Sequence, residues 1–207
     1  MVTRRVVVVA LAAPRWTPPG VDAERWRRAL ADDAVDLLAT LAEVEPALAV
    51  VAVDRPLAAA VGWPSMRVYD VPTLDTRDVL AAAAGDGFEQ AAVLVPDAPD
   101  VPGMLIAKLL RPLTTRPVAV APDALEPAGL LGVASRLPAP AWLPTIDVDR
   151  ATVASIRAAA PAATDVIGTA GWHRLRTPAS LARLDPALDG WEATRALLYH
   201  GSSAPMS

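Results

Sequence analysis

Residues Ala91-Ala92-Val93-Leu94-Val95 form a run of five apolar side chains, followed at once by Pro96-Asp97-Ala98-Pro99-Asp100. A short, continuously apolar run bounded by polar residues and a proline reads as a strand buried on both faces, as in the middle of a parallel sheet. The two carboxylates then lie at the C-terminal end of that strand. In open α/β sheets this edge is where ligands bind, because the loops leaving the strand tips form the crevice. Pro96 and Pro99 stiffen the loop and set Asp97 and Asp100 three residues apart. Carboxylates so placed suit a divalent cation bridging to phosphate, which takes hard oxygen ligands. The alternative is structural: Asp97 opens an Asx turn and Asp100 caps a helix beginning near Val101.

Similar runs recur along the chain. Val6 to Leu11 reads as the first strand, Ala47 to Val53 as the second, Met66 to Val71 as a third, and Pro117 to Ala121 as the strand after the central one. Helical spacing separates them. Asp22 caps a helix whose Trp26, Leu30, Ala34, Leu37 and Leu41 share one face, Pro56 to Val61 forms a helical turn, Arg77 to Ala84 a helix closed by Gly85 and Gly87, and Val101 to Leu110 another. Alternating β and α elements predict a three-layer α/β/α sandwich with a mainly parallel sheet. Beyond Pro122 the pattern weakens. Leu130 to Ser135 reads as a strand without an assigned partner, Asp149 as the cap of a helix reaching Ala160, Thr164 to Gly168 as a last strand, and Thr177-Pro178 as the opening of a further helix with Leu181 and Leu184 turned inward. Trp191 to Tyr199 reads as a terminal helix, and 201–207 as a disordered tail after a single domain spanning 1–200.

The 207 residues suffice for one sizeable core. The longest apolar run, Val6 to Ala13, is far short of the ~20 residues that cross a membrane. With Arg4-Arg5 before it and Pro14 after, that run imitates a signal peptide, but it is needed as the first strand. The chain is therefore expected in the cytoplasm. No cysteine is present, which excludes disulfides, thiolate metal sites and a Cys nucleophile. A net charge of −4 gives no global attraction to nucleic acid or anionic lipid. There is no G-x-G-x-x-G, so a nicotinamide-dependent Rossmann site is disfavoured, and no Walker loop, H-E-x-x-H or G-x-S-x-G. His173 and His200 lack ligand spacing and read as surface residues. Trp26 and Trp191 read as core. Trp16, in the loop after the first strand, either packs at the core edge or stacks on a base.

Four stretches carry a resemblance: Leu11-Ala12-Ala13-Pro14-Arg15 with Pro19-Gly20; Val95-Pro96-Asp97-Ala98-Pro99-Asp100; Glu126-Pro127-Ala128-Gly129-Leu130-Leu131-Gly132; and Arg174-Leu175-Arg176-Thr177-Pro178. In their order they resemble the GT-A-like superfamily of nucleotide-sugar glycosyltransferases and nucleotidyltransferases, specifically small bacterial transferases related to molybdenum-cofactor guanylyltransferase and phospholactate guanylyltransferase. The resemblance implies a transferase acting on a nucleotide or nucleotide-sugar and a small-molecule acceptor. It places the nucleotide against Leu11, Ala12, Ala13 and Arg15, makes Asp97 and Asp100 catalytic with Asp97 holding Mg or Mn, and gives substrate or phosphate contacts to Glu126, Gly129, Arg174 and Arg176. The chain also departs from the family. Its glycine-rich nucleotide loop is reduced to Arg15 among prolines, and the two acids of the last motif are replaced by Arg174 and Arg176. These arginines either clamp phosphate in the metal's stead or mark a degenerate nucleotide- or ligand-binding module. Asp147-Val148-Asp149 imitates the missing acidic motif but precedes the wrong helix, and capping accounts for it more simply.

Overall fold

The four valines of Val6-Val7-Val8-Val9 are wholly buried, two on each face of one sheet. They belong to β1 (Arg5–Ala10), and the computed structural model, which describes residues 3–200 with the backbone alone at His200, builds the molecule outward from it. The tail expected at 201–207 and the exposure expected of His200 fall outside the described residues. In chain order the elements are β1, α1 (Ala23–Ala39), β2 (Glu45–Val50), α2 (Arg55–Val61), β3 (Arg67–Asp70), α3 (Thr76–Gly85), β4 (Gln90–Leu94), α4 (Gly103–Leu110), β5 (Val118–Pro122), β6 (Leu130–Arg136), α5 (Val153–Ala159), β7 (Val166–Gly168), α6 (Pro178–Leu181) and α7 (Glu192–His200).

The seven strands form one sheet in the order β3-β2-β1-β4-β6-β5-β7. β4 is therefore its middle strand, pairing parallel with β1 (Val7 opposite Ala92) and antiparallel with β6 (Val93 opposite Val133). The strand left without a partner at Leu130–Ser135 is β6, inserted between β4 and β5 and antiparallel to both. Gly132 permits it: a Cβ there would lie 2.6 Å from Leu94 Cδ2 and 2.8 Å from the Val93 carbonyl oxygen. Both faces are covered. On one, α1, α2 and α4 bury Leu38, Val61, Leu105, Ile106 and Leu109 against Val7, Leu48, Ala92 and Leu94. On the other, α3 and α5 bury Val79, Leu80 and Ile156 against Val8, Ala49, Val93 and Val120. The α/β/α layering and mainly parallel sheet follow from runs that are apolar on both sides of each strand.

A third cluster, away from the sheet, joins Trp26 and Leu30 of α1 to Trp191, Leu175 and Leu184. Here α7 is anchored by a capping group from another helix. Asp33 of α1, fully buried, accepts hydrogen bonds from the backbone N–H groups of Ala193 (2.9 Å) and Thr194 (2.8 Å). Trp26 and Trp191 are core residues, as expected, and Trp16 packs edge-on against Trp26, its carbonyl accepting the Trp26 Nε1–H at 3.0 Å.

Candidate functional site

Because β6 alone is reversed, the C-terminal ends of the other six strands and the N-terminal end of β6 share one edge. The loop after β1, the Asp97 loop after β4, Asp123 after β5, Gly129 ahead of β6 and the segment 169–177 after β7 gather there. Backbone contacts hold the last segment in place: the Thr169 N–H donates to the Val120 carbonyl at 2.8 Å, Trp172 bridges to Asp123, and the Leu175 N–H donates to the Asp97 carbonyl at 2.6 Å. Thus Asp97 and Arg174, 77 residues apart in sequence, become neighbours.

Asp97 is only 2% exposed, not the projecting loop carboxylate its surroundings predict. Arg174 accounts for this. Its Nε–H donates to Asp97 Oδ1 at 2.7 Å and its Nη2–H to Oδ2 at 2.8 Å, a two-pronged pair that occupies both oxygens. Its Nη1 group donates to the carbonyls of Leu130 (3.2 Å) and Val148 (3.1 Å), so four of its five N–H bonds are engaged. Burial works against the guanidinium's charge, but the Asp97 carboxylate, helped by Asp149, holds it protonated above its ordinary range. A divalent cation fits this arrangement poorly. The Arg174 guanidinium lies where Asp97 would ligate metal, and no group of three or more Asp, Glu or His side chains suited to a metal occurs among the described residues.

Asp149 joins the cluster from a turn ahead of α5. It does not cap that helix: Thr152 does, in a reciprocal capping box with Ser155. Three arginines instead approach the Asp149 carboxylate. Arg15 Nε–H donates to Oδ2, Arg174 Nη2 lies 2.8 Å from Oδ1, and Arg176 Nη2 lies 4.0 Å from Oδ1 while donating to the Asp149 carbonyl at 3.1 Å. Burial pushes the Asp149 carboxyl up, but the hydrogen bond from Arg15 and the charge of Arg174 outweigh it, so the group stays ionised below its usual range. The remaining Arg176 terminus donates to the Ala128 carbonyl at 3.1 Å and passes 3.8 Å from Asp123 Oδ2. Gly129 makes room for it. Its φ is +120°, and a Cβ would lie 2.4 Å from Arg176 Nη1. Glu126, in the same turn, is exposed.

Asp100 is buried as well, but on neutral donors. It does not cap α4, whose N-cap is Pro102; its Oδ1 accepts the Trp172 Nε1–H at 2.9 Å and its Oδ2 the Asp185 N–H at 3.3 Å. His173, expected at the surface, is 8% exposed, tilted against the Trp172 ring with Nε2 3.3 Å from Asp100 Oδ1. Sequence pattern missed this because the partner is 73 residues away. In the first loop Leu11 is buried, its carbonyl held by Arg27 Nη2 at 2.6 Å, while Ala12, Ala13 and Arg15 lie progressively toward solvent. A separate cleft of about 820 Å³ opens between Pro18–Asp22 and helices α6 and α7, lined by Pro19, Arg25, Leu181 and Leu197; none of the acids or arginines of the cluster lines it.

No protein-family profile matches this sequence, and no curated protein does. Solved structures match along nearly the whole chain. A nucleotide-diphospho-sugar transferase described as putative, from Desulfovibrio desulfuricans G20, superposes with a TM-score of 0.66 at 17% identity, covering 96% of this chain and 98% of its own. The 4-diphosphocytidyl-2C-methyl-D-erythritol synthase of Anaerococcus prevotii gives 0.61 at 12% identity, covering 95% and 96%. Rv0371c of Mycobacterium tuberculosis, in complex with manganese, gives 0.53 at 18% identity, covering 96% and 99%. With its single reversed strand and its site-bearing edge, this chain has the nucleotide-diphospho-sugar transferase-like fold.

Proposed function

We propose that the protein binds a nucleotide or nucleotide-sugar at the C-terminal edge of its sheet without needing a divalent cation, and that its transferase chemistry is weak or absent. The observation that carries this reading is the buried Asp97–Arg174 pair, in which a fixed guanidinium takes up the charge a cation would neutralise. Likeness to structures described as a nucleotide-diphospho-sugar transferase and a 4-diphosphocytidyl-2C-methyl-D-erythritol synthase supports the ligand class. The Ala12–Ala13 backbone, with the Ala13 N–H as its donor because that of Ala12 is held by the Ala10 carbonyl at 2.7 Å, and the side chain of Arg15 are assigned to the nucleotide, and Arg176 with Gly129 to its phosphates. Asp100, buried under Trp172, supports the edge. Glu126, on an exposed turn, is assigned to the acceptor. Any transfer would be an in-line attack of an acceptor oxygen on the α-phosphorus of a nucleoside triphosphate, releasing pyrophosphate, or on the anomeric carbon of a sugar nucleotide, releasing the nucleotide, helped by positioning and by arginine charge.

Calorimetric titration with nucleoside triphosphates and sugar nucleotides tests this, guanine nucleotides included because of the family resemblance. Each is run with magnesium, with manganese and with chelator. Equal affinity in all three is the expected result. The competing reading, a metal-dependent transferase, draws on the manganese in the Mycobacterium tuberculosis structure. Strong magnesium-dependent turnover with any nucleotide donor would establish it instead.

A further inference from the structure

We propose that Arg15, Arg174 and Arg176 form an oxyanion subsite that Asp149 fills from within, so that a ligand phosphate binds by displacing the Asp149 carboxylate. This rests on the reading that the sheet edge takes a phosphorylated ligand, and adds an internal competitor for it. Three guanidinium groups within 4.0 Å of one carboxylate are more than a single ion pair requires. The fit is also incomplete. Asp149 Oδ1 is buried and accepts no aligned hydrogen bond, although Arg174 Nη2 is 2.8 Å away and Arg176 Nη2 is 4.0 Å away. A planar carboxylate on a short stem takes an aligned hydrogen bond from Arg15, meets Arg174 only as an ion pair and stops 4.0 Å short of Arg176. A tetrahedral phosphate has three or four oxygens to offer, and guanidinium groups bind phosphate in forked geometry.

The donors are available to a newcomer. Arg174 has one N–H left after Asp97, Leu130 and Val148 are served, and it faces Asp149. Arg15, about half exposed, makes no other hydrogen bond among the described residues. Asp149 itself can leave. It stands in a turn rather than a helix, with its side chain partly open to solvent, and α5 keeps its own cap at Thr152. Displacing the carboxylate also releases Arg15 from its bridge between the first loop and the 147–150 turn, so occupancy of the subsite and opening of that bridge are one event.

The test is calorimetric titration of the full chain with inorganic pyrophosphate in chelator, which is indifferent to whether a nucleotide is the natural ligand. Asp149→Asn removes the internal anion and is expected to bind pyrophosphate on the order of tenfold more tightly than the natural chain. The gain is expected to vanish in Asp149→Asn combined with Arg15→Ala. Asp147→Asn removes an equal charge two residues away without touching the three arginines, and is expected to give no gain. Equal tightening by Asp147→Asn would overturn the proposal in favour of bulk charge, as would a gain in Asp149→Asn that survives loss of Arg15. Should Asp149→Asn not fold, the natural chain decides by NMR. Pyrophosphate is expected to shift the Nε–Hε resonances of Arg15 and Arg176, and unshifted resonances at saturating pyrophosphate overturn the proposal. Pyrophosphate binding without nucleotide binding would leave the subsite standing and sink the nucleotide reading alone.

Discussion

Two buried carboxylates, Asp97 at the sheet edge and Asp33 at the α1–α7 contact, are accommodated in different ways. Asp97 faces a full positive charge that grips both of its oxygens. Asp33, wholly buried, meets neutral donors of Ala193 and Thr194 at the start of α7, where the helix dipole supplies a partial charge. The titration behaviour of Asp33 follows. Burial pushes its carboxyl up to about 6, and hydrogen bonds from Thr194 and Ala193 only partly oppose this. Asp149, beside the same arginine as Asp97, is shifted the other way. Amides at a helix start position a carboxylate without compensating its charge, whereas the sheet edge concentrates fixed positive charge around its anions. That concentration is what an anion-binding edge requires, and it is absent from the α1–α7 contact.

The comparison breaks most severely if Arg174 is removed. Arg174→Met leaves Asp97 buried beside an apolar side chain, and removing one partner of a buried pair costs about 3–5 kcal/mol. Urea denaturation should show this loss. Adding Asp97→Leu should restore most of it, since the penalty lies in the uncompensated charge. A loss below about 1 kcal/mol would mean that water solvates Asp97 once the arginine is gone.

The pH dependence of stability sharpens the contrast, because between pH 4 and 7 the Asp33 contribution should fall while that of Asp149 stays constant. For Asp33 the folded value of about 6 lies above the ordinary 3.8, so between these values the native state holds more proton than the unfolded chain. Stability from this group therefore falls as pH rises through that window, by about 3 kcal/mol in all. The stability of the natural chain minus that of Asp33→Asn, followed by denaturation from pH 4 to 7, should decline and then level off above about 6.5. For Asp149 the folded value is lowered. Its contribution should be complete above 3.8 and lost only below it, giving a flat difference against Asp149→Asn across the same range. A declining difference for Asp149 would show that its arginines do not hold it in solution.

A smaller effect is expected at Gly129. Alanine there must adopt a φ of +120° and bring its Cβ within 2.4 Å of Arg176 Nη1. Strained backbone of this kind costs about 1–3 kcal/mol. Displacement of Arg176 should also weaken pyrophosphate binding, which separates the variant from a purely local loss of stability.

Much of the scaffold is legible in the residues. Runs such as Val6–Val9 and Ala91–Val95, apolar at every position, specify strands covered on both faces, and the central place of β4 follows from that pattern with Asp97 at its tip. The reversed β6 is not legible, because an antiparallel strand inside a covered sheet is as uniformly apolar as a parallel one. The cluster is half legible. Asp97, Arg174, Arg176 and Gly129 stand out as motif positions, but their pairing depends on contacts across 77 and 48 residues that no local spacing records. Sequence alone reads Asp149 as a cap because Asp before a helix ordinarily caps it, whereas Thr152 and Ser155, three and six residues further on, form the capping box.

The smallest expected effect tests whether charge at this edge matters by position or by amount. Glu126 is exposed on the turn between β5 and β6, a few residues from Gly129 but with its side chain open to solvent. Glu126→Ala removes one negative charge, as Asp149→Asn does. An exposed carboxylate that holds nothing in place changes stability by no more than about 0.5 kcal/mol, and its field is largely screened beyond a Debye length of ~8 Å at physiological salt. Denaturation should therefore leave Glu126→Ala within about 0.5 kcal/mol of the natural chain. Pyrophosphate affinity should be essentially unchanged. An acceptor-dependent step, if one is found, should slow, because that is the role assigned to the turn. If Glu126→Ala instead tightened pyrophosphate as much as Asp149→Asn does, placement among the three arginines would be irrelevant, and the difference between the sheet edge and the rest of the surface would reduce to net charge.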